Sequence, residues 1–155
     1  MRKKNLLTTI DFTFVYVTHN IRFYQKNKGK TMDKDFLINY VKNKYKVAPD
    51  KPFEGDFESM VFRHTDNKKW FALLMIIEKN KLRGAEGSEL CEVLNVKCDP
   101  LIVGGVINGV SVFPAYHMNR THWVSLYLPA LTPDELYFFL DMSYTLTAAK
   151  GRVKK

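Results

Sequence analysis

The sequence predicts an α+β domain, in which an antiparallel sheet of five or six strands carries an N-terminal and a C-terminal helix on one face. Three observations lead there. The periodicities run helix, hairpin, strand, short helix, hairpin, helix, with no strand-helix-strand alternation to demand parallel pairing. The last helix opens on Thr132-Pro-Asp-Glu135, an N-cap hydroxyl, a proline at the first helical position and a glutamate three past the cap. Finally, 155 residues, 46% apolar and 14% aromatic, fill one hydrophobic core and are too few for two comfortable ones.

Taken in order, Asp33 caps a helix to about Tyr45, whose buried stripe is Phe36, Leu37, Tyr40, Val41 and Lys44. The prolines of Ala48-Pro-Asp-Lys-Pro-Phe53 end that run by removing backbone donors. Ser59 to His64 and Trp70 to Ile77 read as a hairpin joined through the turn formers of residues 65–69. A polar loop from Lys79 to Ser88 leads into a strand from Leu90 to Val96, with Cys91, Val93 and Asn95 on one face. Asp99-Pro100 starts a helix of about two turns that Asn108-Gly109 stops. Ser111 to His117 and His122 to Leu128 form a second hairpin through Met118-Asn-Arg-Thr121. The final helix reaches about Lys150 along Leu136, Phe139, Leu140, Ser143, Tyr144 and Thr147, with Lys150, Arg152, Lys154 and Lys155 at its C-terminal dipole. With both helices on one face, the other sheet face is expected to be open to solvent or a partner.

A net charge of +8 invites a nucleic-acid reading, but its distribution matters. Residues 1–46 carry eleven Lys or Arg against three acids, whereas Met32 to Lys155 has a net charge of only +2. The basicity therefore belongs mostly to residues 1–31, an N-terminal extension with strand-like alternation at Ile10, Phe12, Phe14 and Tyr16. That extension reads as an appended strand, an ordered extension or translated upstream sequence, the last preferred because a self-sufficient domain pattern, residues 32–155, follows at once. No window of 18 apolar residues exists, so no membrane span is expected, and a signal peptide lacks its cleavage site. Cys91 and Cys98 form no CxxC pair and read as reduced, buried thiols of a cytoplasmic protein.

Catalytic signatures are missing: Gly104-Gly105 lacks the Lys-Ser/Thr of a phosphate loop, and no nucleophile-base pair can be named, so neither an enzyme nor a cofactor is expected. The densest cluster runs from Phe113 to Trp123. If Met118 to Thr121 form the hairpin loop, His117 and His122 close it as cross-strand partners with Cβ atoms about 4.5 to 5.5 Å apart. Such a pair could share a metal, an anion or a carboxylate; alternatively one imidazole orders the loop and the other packs on Trp123. Two histidines fall short of a zinc site, which needs three or four ligands. His19 and His64 carry no assigned role.

Leu94-Asn-Val-Lys-Cys-Asp-Pro100, then Pro114-Ala-Tyr-His-Met-Asn-Arg-Thr-His-Trp123, then the Thr-Pro-Asp-Glu-Leu helix ending in Ser143-Tyr144 together resemble the MmcQ/YjbR-like family of small bacterial proteins. The resemblance spans Met32 to about Lys150. It implies a CyaY/frataxin-like α+β fold and DNA binding through a double wing of hairpins. It marks Lys97, Asp99, Tyr116, His117, Met118, Asn119, His122 and Trp123 as the functional surface, with Arg120 where a basic residue is usual. The frataxin analogy would also imply iron, but the first helix carries Lys34, Lys42, Lys44 and Lys46 in place of an acidic ridge, so no metal is expected.

Two functions compete. In the first, Asn119 and Arg120 at one hairpin tip contact DNA, assisted by Lys68 and Lys69 on the other and by lysines of the first helix. In the second, Tyr116, His117, His122 and Trp123 line a small-molecule or peptide site on the uncovered sheet face, without catalysis.

Overall fold

The computed structural model describes residues 32–151. The strand, extension and upstream readings of residues 1–31 lie outside the described residues, as do Arg152, Lys154 and Lys155. The chain divides into Met1–Thr31 and Met32–Lys155, and the fold is that of the second unit.

Five strands make the sheet: β1 (Met60–Arg63), β2 (Trp70–Glu78), β3 (Leu90–Lys97), β4 (Val112–Pro114) and β5 (Trp123–Tyr127). Their spatial order is β1-β2-β3-β5-β4, and every neighbouring pair is antiparallel. Helix α1 (Lys34–Tyr45) precedes the sheet, the single turn α2 (Val103–Val106) links β3 to β4, and α3 (Pro133–Thr147) follows it. The α+β class with an antiparallel sheet is as the patterns predict.

The caps explain where the helices begin. Asp33 Oδ1 accepts from the Phe36 amide at 2.8 Å, and a Glu92 carboxylate oxygen on β3 accepts from Lys34 N at 2.6 Å. Thr132 and Glu135 form the reciprocal capping box that starts α3. Leu37, Val41, Leu136 and Leu140 are fully buried, each contributing about 1.5 to 3 kcal/mol. Ser143 fastens α3 to the sheet: its hydroxyl donates to the Phe71 carbonyl at 2.5 Å and accepts from Lys97 N at 2.8 Å. Between the helices, Lys44 pairs with Asp141 at 2.7 Å, Tyr45 donates to Asp141, and Tyr40 stacks on Tyr137.

Three expectations need correction. First, the helix after Asp99 is one turn long. Asp99 Oδ1 does cap Leu101 N at 2.9 Å, but residues 100–102 form a turn and Gly104-Gly105 support helix poorly. Asn108 instead organises the entry to β4, its Oδ1 accepting from the amides of Val110, Ser111 and Val112. Second, α3 stops at Thr147, short of Lys150. The Thr147 hydroxyl bonds back to the Ser143 carbonyl, its own carbonyl is taken by Asn67 Nδ2 at 2.9 Å, and Ala148 turns extended.

Third, the sheet face away from the helices is not open. Register places Val61, Leu73, Met75, Val93, Asn95, Phe113 and Ser125 on that face. Leu82 and Ala85, from the loop after β2, join Cys91, Val93 and Phe113 in one cluster there. Tyr116 packs against both that cluster and the one formed by Val61, Leu73 and Met75, which Met118 also covers. Loops substitute for a second helical layer because this face of the sheet is too apolar to leave in water.

Candidate functional site

Antiparallel pairing decides where the candidate residues go. Lys97 pairs with Trp123, Val96 with Ala72, and Trp70 with Arg63. The β1-β2 turn, the C-terminal end of β3 and the β4-β5 loop therefore share one end of the sheet. Lys68 and Lys69, Lys97 and Asp99, and Tyr116 to Trp123 are brought together there from three separate stretches of sequence. The turns are flanked by β2 and β5, which lie on either side of β3, two strand spacings or about 10 Å apart.

A closed ring of hydrogen bonds holds the β4-β5 loop. Tyr116 N donates to Ser125 Oγ at 2.9 Å, Ser125 Oγ donates to Asn95 Oδ1 at 2.5 Å, and Asn95 Nδ2 donates to the Tyr116 carbonyl at 2.7 Å. Asn95 and Ser125 are 0% exposed, so this ring is shielded from competing water. It ties the Tyr116 backbone down across the sheet.

That tether overturns the expected histidine pair. The β4-β5 ladder ends at Pro114 opposite Val124, since proline offers no amide to continue it, and residues 115–122 form a loop. His117 adopts a left-handed conformation with φ 56° and its ring stacks on Tyr116, centroids 4.0 Å apart. His122 donates its amide to the Asn119 carbonyl and accepts from Cys98 N through its own carbonyl at 2.8 Å. The imidazoles do not face one another across a ladder. Among the described residues, no group of three or more His, Cys, Asp or Glu could hold a metal ion.

The other predicted residues divide by exposure. Asn119, Arg120, His117 and His122 are exposed at one tip, and Lys68 and Lys69 at the other. Tyr116 and Met118 are half-buried against the sheet, and Lys97 and Trp123 half-buried side by side on it. Asp99 and Asn119 both use their side chains locally, Asn119 Oδ1 accepting from Thr121 N at 2.8 Å. Among the described residues, Lys68, Lys69, Lys97 and Arg120 have no carboxylate partner, whereas Arg63 is held by Asp50 at 2.7 Å and lies over the Trp70 ring. Lys68, like His117, has a positive φ, at 60°. A non-glycine residue in this region costs on the order of 1 kcal/mol, and here one occurs at each tip.

Sequence reasoning missed three contributors. Ser125 and Asn95 were visible only as polar residues at inward positions between apolar neighbours. His64 is 4% exposed, its Nε2 lies 2.8 Å from Thr147 Oγ1, and its ring packs on Phe71 and Tyr144. With Asn67 on the same helix end, it anchors the β1-β2 turn to α3.

Comparison with known proteins places this geometry among relatives. A family model described as YjbR matches residues 42–146. The uncharacterised protein YyaQ of Bacillus subtilis (strain 168) is 37% identical over 117 residues, 75% of this chain and 98% of that protein. A crystal structure of a Pseudomonas syringae protein superposes with a TM-score of 0.72 at 37% identity, covering 76% of this chain and all (100%) of the other. A domain-of-unknown-function (DUF419) protein of Deinococcus radiodurans is similar with a TM-score of 0.56 at 26% identity, covering 80% of this chain and 84% of that one. No helix among the described residues is long and apolar enough to cross a membrane.

Proposed function

The chain belongs to the YjbR family, and from that premise we propose that it binds duplex DNA with the end of the sheet where both hairpin turns emerge. One observation carries this reading: the register gathers Lys68, Lys69, Lys97 and Arg120, none of them paired with a described carboxylate, at that end. The neighbouring acids Asp66 and Asp99, which accept from the Asn67 and Leu101 amides, stay charged but number two against those four cations. A local excess of cations therefore survives the modest charge of the domain as a whole. Spacing also suits a duplex. The two turns, one between β1 and β2 and the other between β5 and β4, are centred three strand spacings or about 14 Å apart, comparable with a major groove about 12 Å wide. Lys68 and Lys69 then meet the phosphate backbone while Asn119 and Arg120 reach base edges or the facing phosphates. Small-molecule or peptide binding on the sheet face is the weaker reading, because Tyr116, Met118 and Leu82 occupy that face.

The test is fluorescence anisotropy of the full chain with a labelled duplex across a salt series. Each phosphate contact contributes a slope of about −0.9 in log K against log salt. Arg120→Ala and Lys68→Ala are each expected to flatten the slope by about that amount while thermal stability stays unchanged. Slopes identical to the parent for both variants would exclude this end of the sheet and assign any DNA affinity elsewhere in the chain.

A further inference from the structure

Helix α3 turns an apolar stripe outward that neither the core nor the DNA reading uses. Phe138, Met142 and Leu146 recur at four-residue spacing, with Phe138 52% and Leu146 42% exposed. Asp99, two residues before the 92% exposed Leu101, donates its amide to Met142 Sδ at 3.4 Å. Exposed phenylalanine and leucine in a contiguous row mark an interaction surface more often than an indifferent one.

The flanking charges identify the occupant. Of the acids on α3, Glu135 is engaged by Thr132 and Ser111, and Asp141 by Lys44, which leaves Asp134 near the N-terminal end. Lys150 trails the C-terminal end. On the helix the apolar stripe Phe138, Met142, Leu146 is symmetric about Met142 with Asp134 at its N-terminal end, and Lys150, three residues past the last helical residue Thr147, supplies a base beyond the opposite end. A two-fold interface requires a surface complementary to itself. Laid antiparallel on a copy of itself, this stripe meets that requirement. Phe138 covers Leu146 of the partner subunit, Met142 sits on the axis, and Asp134 approaches Lys150 of the partner subunit. Opposed helix dipoles add to the same arrangement.

We infer that the chain self-associates through α3 as an antiparallel two-fold dimer centred on Met142. The stripe is narrow compared with the roughly 800 Å² per partner of a standard interface, so the dissociation constant falls on the order of 10 to 1,000 µM.

Sedimentation velocity on the full chain from about 5 to 500 µM should show monomer passing to dimer. Phe138→Glu, at an exposed position, should weaken the dimer at least about tenfold while leaving circular dichroism unchanged. Asp134→Lys should weaken it, and Lys150→Asp added to that variant should restore it, an outcome peculiar to the antiparallel pairing. Crosslinking gives an independent readout, because native Cys91 and Cys98 are buried. Met142→Cys alone, and Phe138→Cys combined with Leu146→Cys, should give disulfide dimers, whereas Phe138→Cys alone should not. If Met142→Cys perturbs folding through its contact with Asp99, the Phe138/Leu146 pair decides. Monomer at every concentration, a dimer indifferent to Phe138→Glu, or efficient crosslinking by Phe138→Cys alone would overturn the inference.

Discussion

Ser125→Ala removes one oxygen from the interior and breaks the ring that holds the β4-β5 loop. The hydroxyl both accepts from Tyr116 N at 2.9 Å and donates to Asn95 Oδ1 at 2.5 Å. Its loss leaves the partly buried Tyr116 amide without an acceptor and the buried Asn95 carbonyl oxygen without its donor. Each orphaned group costs about 1 to 3 kcal/mol, so the variant should lose about 2 to 5 kcal/mol. That is a large share of the roughly 5 to 15 kcal/mol that holds a domain folded. With a urea dependence of about 1 to 3 kcal/mol/M, the unfolding midpoint should fall by at least about 0.7 M at unchanged slope. The effect should be local as well as global. Amide hydrogen exchange at Tyr116 should accelerate beyond what the lower global stability explains, because that amide opens without unfolding β3 and β5. A loss below about 0.5 kcal/mol, typical of surface substitutions, together with unchanged protection at Tyr116, would show that the ring does not hold the loop.

Burial, reinforced by the negative charge of Asp134, pushes the Tyr137 phenol up to about 12. An unfolded tyrosine loses its proton near about 10, so the folded state binds more protons in between. This contribution to stability is complete below about pH 10 and declines as pH rises toward 12, by about 3 kcal/mol in all. Urea midpoints measured across that window should fall more steeply for the parent than for Tyr137→Phe, and parallel curves would refute the assignment. Burial also raises both thiols, with Glu89 acting in the same direction on Cys91 and Asp99 on Cys98. The native chain should therefore resist a thiol reagent near about pH 8 and titrate two cysteines once unfolded in urea. Fast native labelling of Cys98, which is 0% exposed, would mean that the turn after β3 opens readily.

The helices and strands were legible because their signals are local. The carboxylate of Asp33, the capping box at Thr132 and the periodicities of 2 and 3.6 residues act within a few positions of chain, so the sequence displays both partners of each interaction. The gathering of Lys68, Lys97 and Arg120 at one end was only partly legible, since it follows from antiparallel register across separate strands. Residues whose partners are remote in sequence were not legible at all. Asn95 meets Ser125 thirty positions away, and His64 meets Thr147 eighty-three away. Neither pairing leaves any mark on the residues beside it.

The failed histidine pair shows the same division at close range. Spacing alone allowed His117 and His122 to close a ladder, because a regular hairpin was the simplest local solution. What displaced them was a competing tertiary demand: an apolar sheet face that had to be covered, and a buried Asn-Ser couple that could satisfy its polarity only by capturing the Tyr116 backbone. Local chemistry was enough to specify the order of the elements and the N-terminal caps of the two long helices, though not where the short helix, α3 and β4 end. The arrangement of the loop that carries the candidate site depended on burial and hydrogen-bond satisfaction, which exist only once distant segments have been packed together.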